Sequence, residues 1–497
     1  MSEEYDFVQK YGEISVEWIE SPPVSGLIIR PYALNYFHNG TLHRTKSERG
    51  SSTFELFFDL LYVGIVGNLA EAATEKATGA SIGMYVLLFL PVWQVWTDMR
   101  DFMNYYYNND ITQKLYVLWI MTLLVIYANN ASSILDSKGE AGMVVGSYIL
   151  ARFSAATITL IYTFFVKEHR KQMRSLFILV CISMLAIGFI IIAPLKAKIV
   201  IASVCYAYDI IAYIFTFHWF IKLLKCEYST ALSIEHEVER HGAFYVIALG
   251  EFLYVIVSHS PAVGGFNERL ARAVCVLVTA YCFSWFYFRG EGSSKAVHAL
   301  RRNYYTAYAW LLIHIPLILS LILAADASGD LTSSLKFYPY STRNESYGEF
   351  EEIEENSSVS GERDDYLHSL QIIYGSGLSV ALLCLTIMAF CDKSLDAPDV
   401  KRLSPIVRLS PRILVAGAIL GMSFASMKIT LYMGLTALFV VIQLIFETVS
   451  ELPVNCVSRE IVDVSDDGIA EENCKGQRQT LRSECDKESA EKSLIVQ

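Results

Sequence analysis

Two carboxylates stand four residues apart in the stretch Phe54-Glu55-Leu56-Phe57-Phe58-Asp59-Leu60-Leu61. That spacing puts Glu55 and Asp59 on one face of a helix. In a low-dielectric setting two neighbouring acids share a proton or hold a cation, since ionising both is costly. If both reach water, or each is paired with an arginine, they carry structure alone. Arg152 lies eleven residues into an apolar run at 141–166, too deep for its guanidinium to snorkel to an interface. It demands a carboxylate, and the buried candidates are Asp59, Asp209 and Glu251, the last two central in their own apolar runs. A fixed ion pair and a proton relay predict the same burial. His218, His259 and His314 add groups that titrate near neutral pH, although a lone helical histidine more often serves packing. His314 stands two residues before Pro316, whose missing N–H frees a carbonyl in mid-run, and Pro91 gives a similar break. Glu55, Asp59, Arg152, Asp209 and Glu251 are therefore the candidate buried polar or ion site.

The elements that must position these groups are membrane spans. Of 497 residues, 53% are hydrophobic and only 18% charged, whereas a soluble domain is about 25% charged. Apolar runs long enough to cross about 30 Å of hydrocarbon recur along the chain. They fall near 54–73, 82–106, 113–132, 141–166, 175–194, 198–225, 241–259, 269–288, 303–325, 368–390, 411–426 and 428–448. The expected fold is an all-α polytopic transmembrane helix bundle of about twelve helices, ten to twelve in range. The last two runs, separated only by Ser426, Met427 and Lys428, read equally as a tight hairpin or one long bent helix.

The formal net charge of −11 belongs to appendages: residues 326–367 sum to −8 and residues 449–497 to −5, leaving +2 for the rest. That excludes a nucleic-acid binder, which needs a basic stripe, and a soluble enzyme. With the N-terminus inside, 21 Lys and Arg flank the cytosolic ends of the spans and 10 the opposite ends, as the positive-inside rule requires. The expected organisation is a cytosolic segment at 1–50, a membrane domain at 51–450 containing an acidic extracytosolic loop at 326–367, and a disordered cytosolic tail at 451–497. The most fitting location is the plasma membrane, with an endomembrane as the alternative. Asn344 and Asn356 head glycosylation sequons in the outer loop, while Asn39-Gly40-Thr41 falls on the cytosolic side. None of the ten cysteines falls in an outer loop, and no CxxC pair exists, so neither a disulfide framework nor a metal site is expected.

Acidic openings of the first and seventh runs, with aromatics near arginine in the second and eighth (Trp93, Trp96, Arg100; Trp285, Phe286, Arg289), point toward a 6+6 parallel repeat. Asp98, Arg100 and Asp101, followed by Tyr105, Tyr106 and Tyr107, read as an interfacial patch of the aromatic belt. Gly417 and Gly421 form a GxxxG, for which packing within the chain is the default and a homo-oligomer the minority reading. No Walker loop, dinucleotide fingerprint, HExxH or GxSxG occurs, so no cofactor and no enzymatic step is expected.

The run from Phe54 to Val63 resembles the opening motif of the low temperature requirement A family. Glu239-Arg240-His241-Gly242-Ala243-Phe244, leading to Leu249-Gly250-Glu251, is similar to that family's second motif. The likeness covers roughly residues 45–450, and the acidic loop and tail resemble additions seen in fungal members. It implies a polytopic membrane protein linked to growth in the cold and singles out Glu239, Arg240, Gly242 and Gly250 beside the acids already named. It assigns none of them a role. The expected function is a transporter-like protein for a small solute or ion, with proton coupling as one form. A non-transporting sensor or scaffold that signals through its tail is the alternative. The expected partners are the lipid bilayer and that solute or ion.

Overall fold

The structure is a computed structural model that describes residues 15–20, 26–46, 50–106, 110–258, 260–262, 264–290, 296–333, 357–394, 403–425 and 427–452. Twelve helices among these residues are long and apolar enough to cross a membrane. They contain α1 (Thr53–Thr74), α2 (Gly79–Tyr106), α3 (Ile111–Ala131), α4 (Lys138–Tyr162), α5 (Arg170–Gly188, its span running to Ile191), α6 (Leu195–Ile214, its span running to Leu223), α7 (Ile234–Val257), α8 (Glu268–Arg289), α9 (Tyr304–Ser333), α10 (Ser357–Cys391), α11 (Pro411–Ser423, its span starting at Pro405) and α12 (Ile429–Ser450). A π-turn at Phe215–Trp219 carries α6 into Phe220–Leu223. The ambiguous pair at the end is two helices, since the chain leaves helical geometry after Ser423 and resumes it at Ile429.

Several helix starts are written in capping side chains. Ser52 accepts the backbone N–H of Glu55 at 3.3 Å and donates its hydroxyl to the same side chain at 3.1 Å. Asp110 accepts from Gln113 at 3.0 Å, and Asn267 accepts from Leu270 at 2.9 Å. Such caps satisfy N–H groups that a helix cannot bond internally.

Helix α1 packs against α2, α7 and α9, and α9 pairs with α10 along its length. That contact is close because Gly377 has no side chain: a Cβ there would lie 2.7 Å from the Ser320 carbonyl oxygen. In its most apolar stretch, α10 has 72% of residues buried, whereas the α5 and α6 spans have 28% and 22%. So α10 is central, and α5 and α6 are peripheral helices whose apolar sides face lipid.

One expectation is corrected. The acidic stretch at 326–367 is not all loop: α9 continues to Ser333 and α10 begins at Ser357, which makes Asp326 and Asp330 helical. Asn344, Asn356 and His259 lie outside the described residues, as does the chain after 452. The bundle also carries a small sheet in the order β1-β3-β2-β4, built from β1 (Val16–Ile19), β2 (Asn35–His38), β3 (Thr41–Thr45) and β4 (Tyr228–Thr230). Strands β2 and β3 form a hairpin closed by Asn39 and Gly40, both at positive φ (48° and 86°). That is the Asn-Gly preference of a two-residue hairpin turn, so the tripeptide read as a sequon is a turn. Strand β4, from the segment between α6 and α7, adds antiparallel to β2. A shorter ladder pairs β5 (Ala296–Val297) with β6 (Lys393–Ser394).

Candidate functional site

The candidate polar residues fall into three groups instead of one centre. The first lies at the sheet end of the bundle, where α1, α2 and α7 meet. Arg240 of α7 donates to Glu55 at 3.2 Å and to Asp59 at 2.7 Å, so the i, i+4 acids share one guanidinium. Trp96 Nε1 donates to the same Asp59 oxygen at 2.8 Å, and its ring lies between Arg100 (5.4 Å) and Arg240 (5.8 Å) as a cation–π partner of both. His236 Nε2 lies 2.5 Å from Glu55. On the other side, Arg100 pairs with Glu237 at 3.0 Å and Asp101 at 2.6 Å, and contacts His241 Nε2 at 3.2 Å. Asn104 bridges the two sides, 3.2 Å from His236 Nδ1 and 3.4 Å from Glu237. The ring of His241 lies 4.5 Å from that of His314, tilted by 59°, and His314 bonds the Trp310 carbonyl and the Tyr287 hydroxyl.

Every member of this network is buried. Among the described residues it brings together the carboxyls of Glu55, Asp59, Asp101 and Glu237 and the guanidiniums of Arg100 and Arg240. Among the described residues, one oxygen of Asp59 has no hydrogen-bond partner, and neither does the buried Tyr62 hydroxyl one turn along the same face. Local sequence explains the convergence. His236 and Arg240, like Glu237 and His241, are four apart and share a face of α7, and so are Trp96, Arg100 and Asn104 on α2.

The second group centres on Arg152. Its Nε lies 2.7 Å from Asp98, its Nη1 2.7 Å from Asp209 and 3.3 Å from the Tyr148 hydroxyl. Asp209 is the partner expected among three candidates; Asp59 and Glu251 are not. Asp98, assigned from the sequence to an interfacial patch, is instead the second partner. It stands eight residues before the end of α2, about 12 Å along the helix and inside the bundle.

Glu251 belongs to a third place, toward the opposite end. It packs against α1 where that helix has Gly67, so close that a Cβ there would approach its carboxylate to 3.3 Å. Among the described residues it makes no hydrogen bond or ion pair. Asp326 bonds the Thr74 hydroxyl, and Tyr366 donates to Asp330 at 3.2 Å. No group of three or more His, Cys, Asp or Glu with metal-binding geometry occurs among the described residues.

The remaining motif residues have other positions. Glu239 is exposed and accepts the Ser51 N–H at 3.0 Å, tying the chain before α1 to α7. Gly242 lets α7 approach Phe288 of α8, with 3.4 Å left for a Cβ, while nothing crowds Gly250. His218 stacks on Tyr304 at 3.9 Å. Sequence reasoning missed His236, Glu237, His241, Asn104 and Asp98. Their signal was the four-residue spacing of polar groups in 236–241 and 96–104.

Two histidines outside the spans frame this end. His169 is buried between the Tyr106 hydroxyl (3.0 Å) and the Asn35 carbonyl (3.2 Å), and burial lowers its pKa to about 4. Burial, with Arg301 nearby, also takes His298 down to about 4.

Comparison with known proteins gives one match. The family model described as bacterial low temperature requirement A protein (LtrA) covers residues 50–446, and so contains all three polar groups. No curated protein matches the chain, and no solved structure does.

Proposed function

The chain belongs to the low temperature requirement A family, and we propose that it is a transporter-like, non-enzymatic membrane protein that moves a small solute or ion with proton coupling, in support of growth in the cold. One observation carries the reading: Glu55, Asp59, Asp101 and Glu237 are buried together with Arg100, Arg240, His236 and His241 at the junction of α1, α2 and α7. An ionised carboxylate away from water costs several kcal/mol unless it is paired, so acids clustered at such a junction change their pairing readily by taking up or releasing a proton or a cation. His236 against Glu55 offers a site where that proton resides. The junction is built from the first helix of each six-helix half, the place where relative movement of the halves would alter the pairing. Arg152 between two carboxylates is a second such balance, one negative charge in excess.

The test is proton flux in proteoliposomes, followed with an entrapped pH dye. The parent protein is expected to pass protons down an imposed gradient. Asp59→Asn and Glu55→Gln, each removing one titratable acid of the junction while keeping its shape, are expected to reduce that flux by tenfold or more, the scale of a lost proton-transfer group. A parent without flux, or variants indistinguishable from it, retires the proton-coupled reading.

A further inference from the structure

A separate feature lies among the peripheral helices. A cleft open to its surroundings runs between α2, α4, α5 and α6. Its wall is almost wholly apolar, with Leu88, Val144, Ile187 and Ile199 typical of it. Two charged residues interrupt that wall, one at each end. Lys198 sits in the first turn of α6, at the end of the bundle away from the β-sheet, and makes no ion pair among the described residues. Asp209 lies at the deep end, where Arg152 already holds its carboxylate at 2.7 Å.

The length fits a lipid chain. From Leu195 to Asp209 the cleft follows fourteen residues of helix, about 21 Å. The hydrocarbon of one leaflet is about 15 Å deep, so the cleft reaches from headgroup level past the bilayer centre. The charges fix which end is which. The deep carboxylate is already held by Arg152, while the ammonium at the mouth has no ion-pair partner among the described residues and lies at the end where a headgroup would sit. A cationic or zwitterionic occupant gains little there; an anionic one gains a charge pair.

We propose that this cleft is a binding site for an anionic phospholipid of the leaflet opposite the β-sheet, its acyl chain between α2, α4 and α6 and its phosphate on Lys198. The site is independent of whether the protein transports anything. An occupant here abuts Tyr148 and Tyr206, which line the cleft beside the Arg152–Asp209 pair, so it also contacts the shell of that pair.

The experiment uses the full chain, purified in detergent, delipidated, and offered dioleoyl phosphatidylglycerol, dioleoyl phosphatidylcholine or oleate, with bound molecules counted by native mass spectrometry. The parent is expected to retain phosphatidylglycerol in preference to phosphatidylcholine. Lys198→Ala should cut phosphatidylglycerol retention roughly fivefold, the share of one lysine at a membrane surface, and leave phosphatidylcholine unchanged. Ala202→Trp, which fills the cleft wall, should lower retention of both. Lys198→Glu, a partly exposed position where folding is not at stake, should abolish the preference. Equal phosphatidylglycerol retention in the parent and both Lys198 variants overturns the proposal. So does retention of oleate with neither phospholipid, or a parent without preference.

Discussion

Removing a partner from a buried ion pair costs far more than the pair contributes, because the surviving charge has nowhere to go. Arg240 carries two carboxylates, so Arg240→Ala strands both Glu55 and Asp59 and is expected to cost about 3–5 kcal/mol. Heat unfolding of the purified protein in detergent measures it, with a large fall in midpoint as the outcome. Around Arg152 the same reasoning separates two changes. Arg152→Ala leaves Asp98 and Asp209 facing each other without a cation, whereas Asp98→Asn leaves a balanced pair with Asp209. The first should unfold at a clearly lower temperature than the second; the reverse order would refute the assignment. His169 and His298 set a pH dependence. Each is held near 4 in the folded protein against 6.5 in the unfolded chain, so the unfolded state binds more protons between those values. Stability is therefore complete above about pH 6.5 and falls as pH drops toward 4. His169→Gln should flatten part of that slope in unfolding scans at pH 7 and pH 5. Glu55, Asp59, Arg152, Asp209 and Glu251 were legible in the sequence because charge inside an apolar run is conspicuous. Their partners were not. A charge near a span's end, such as Asp98 or Arg100, looks the same in sequence whether it faces headgroups or a neighbouring helix.

Helices α9 and α10 pack with almost no gap at Gly377. Gly377→Val must push against both the Ser320 carbonyl and the Ala324 methyl, 2.7 and 2.8 Å from an added Cβ. Overpacking of this kind costs about 1–3 kcal/mol, and the variant should show it as a lower unfolding midpoint and a smaller monodisperse yield. Gly417→Val, where an added Cβ meets nothing, is the control that should behave like the parent. The spans themselves were readable to within a few residues because length and hydropathy are set by the bilayer. The acidic stretch was overextended as a loop because Asp326 and Asp330 lower the local hydropathy although α9 continues through them. The sheet escaped for a different reason. Its strands are only three to five residues long, and β4 lies 190 residues from its partner in β2. Only the Asn-Gly turn marked it locally.

The molecule as a whole is an apolar bundle with its sheet at one end, and we propose from the distribution of Lys and Arg that this end faces the cytosol. A cysteine at Asn39, in the exposed hairpin turn, should resist a membrane-impermeant maleimide in intact cells and react after permeabilisation. Labelling of intact cells would invert the topology. The polar groups do not join into one centre, so the sequence expectation of a single buried site gives way to a sheet-end junction, a lateral triad and an isolated acid. The sheet that caps the junction also orders events during synthesis. His38 pairs with Tyr228, so strand β2 emerges and waits while roughly 190 more residues and six spans are made. At about 5–20 residues per second that is roughly 10–40 s during which the hairpin edge stays open. Arg240 arrives only a few residues after Tyr228, so Glu55 and Asp59 spend the same interval without their cation. The newborn first helix must therefore sit in the membrane with those acids protonated or near water until the second half of the chain reaches it.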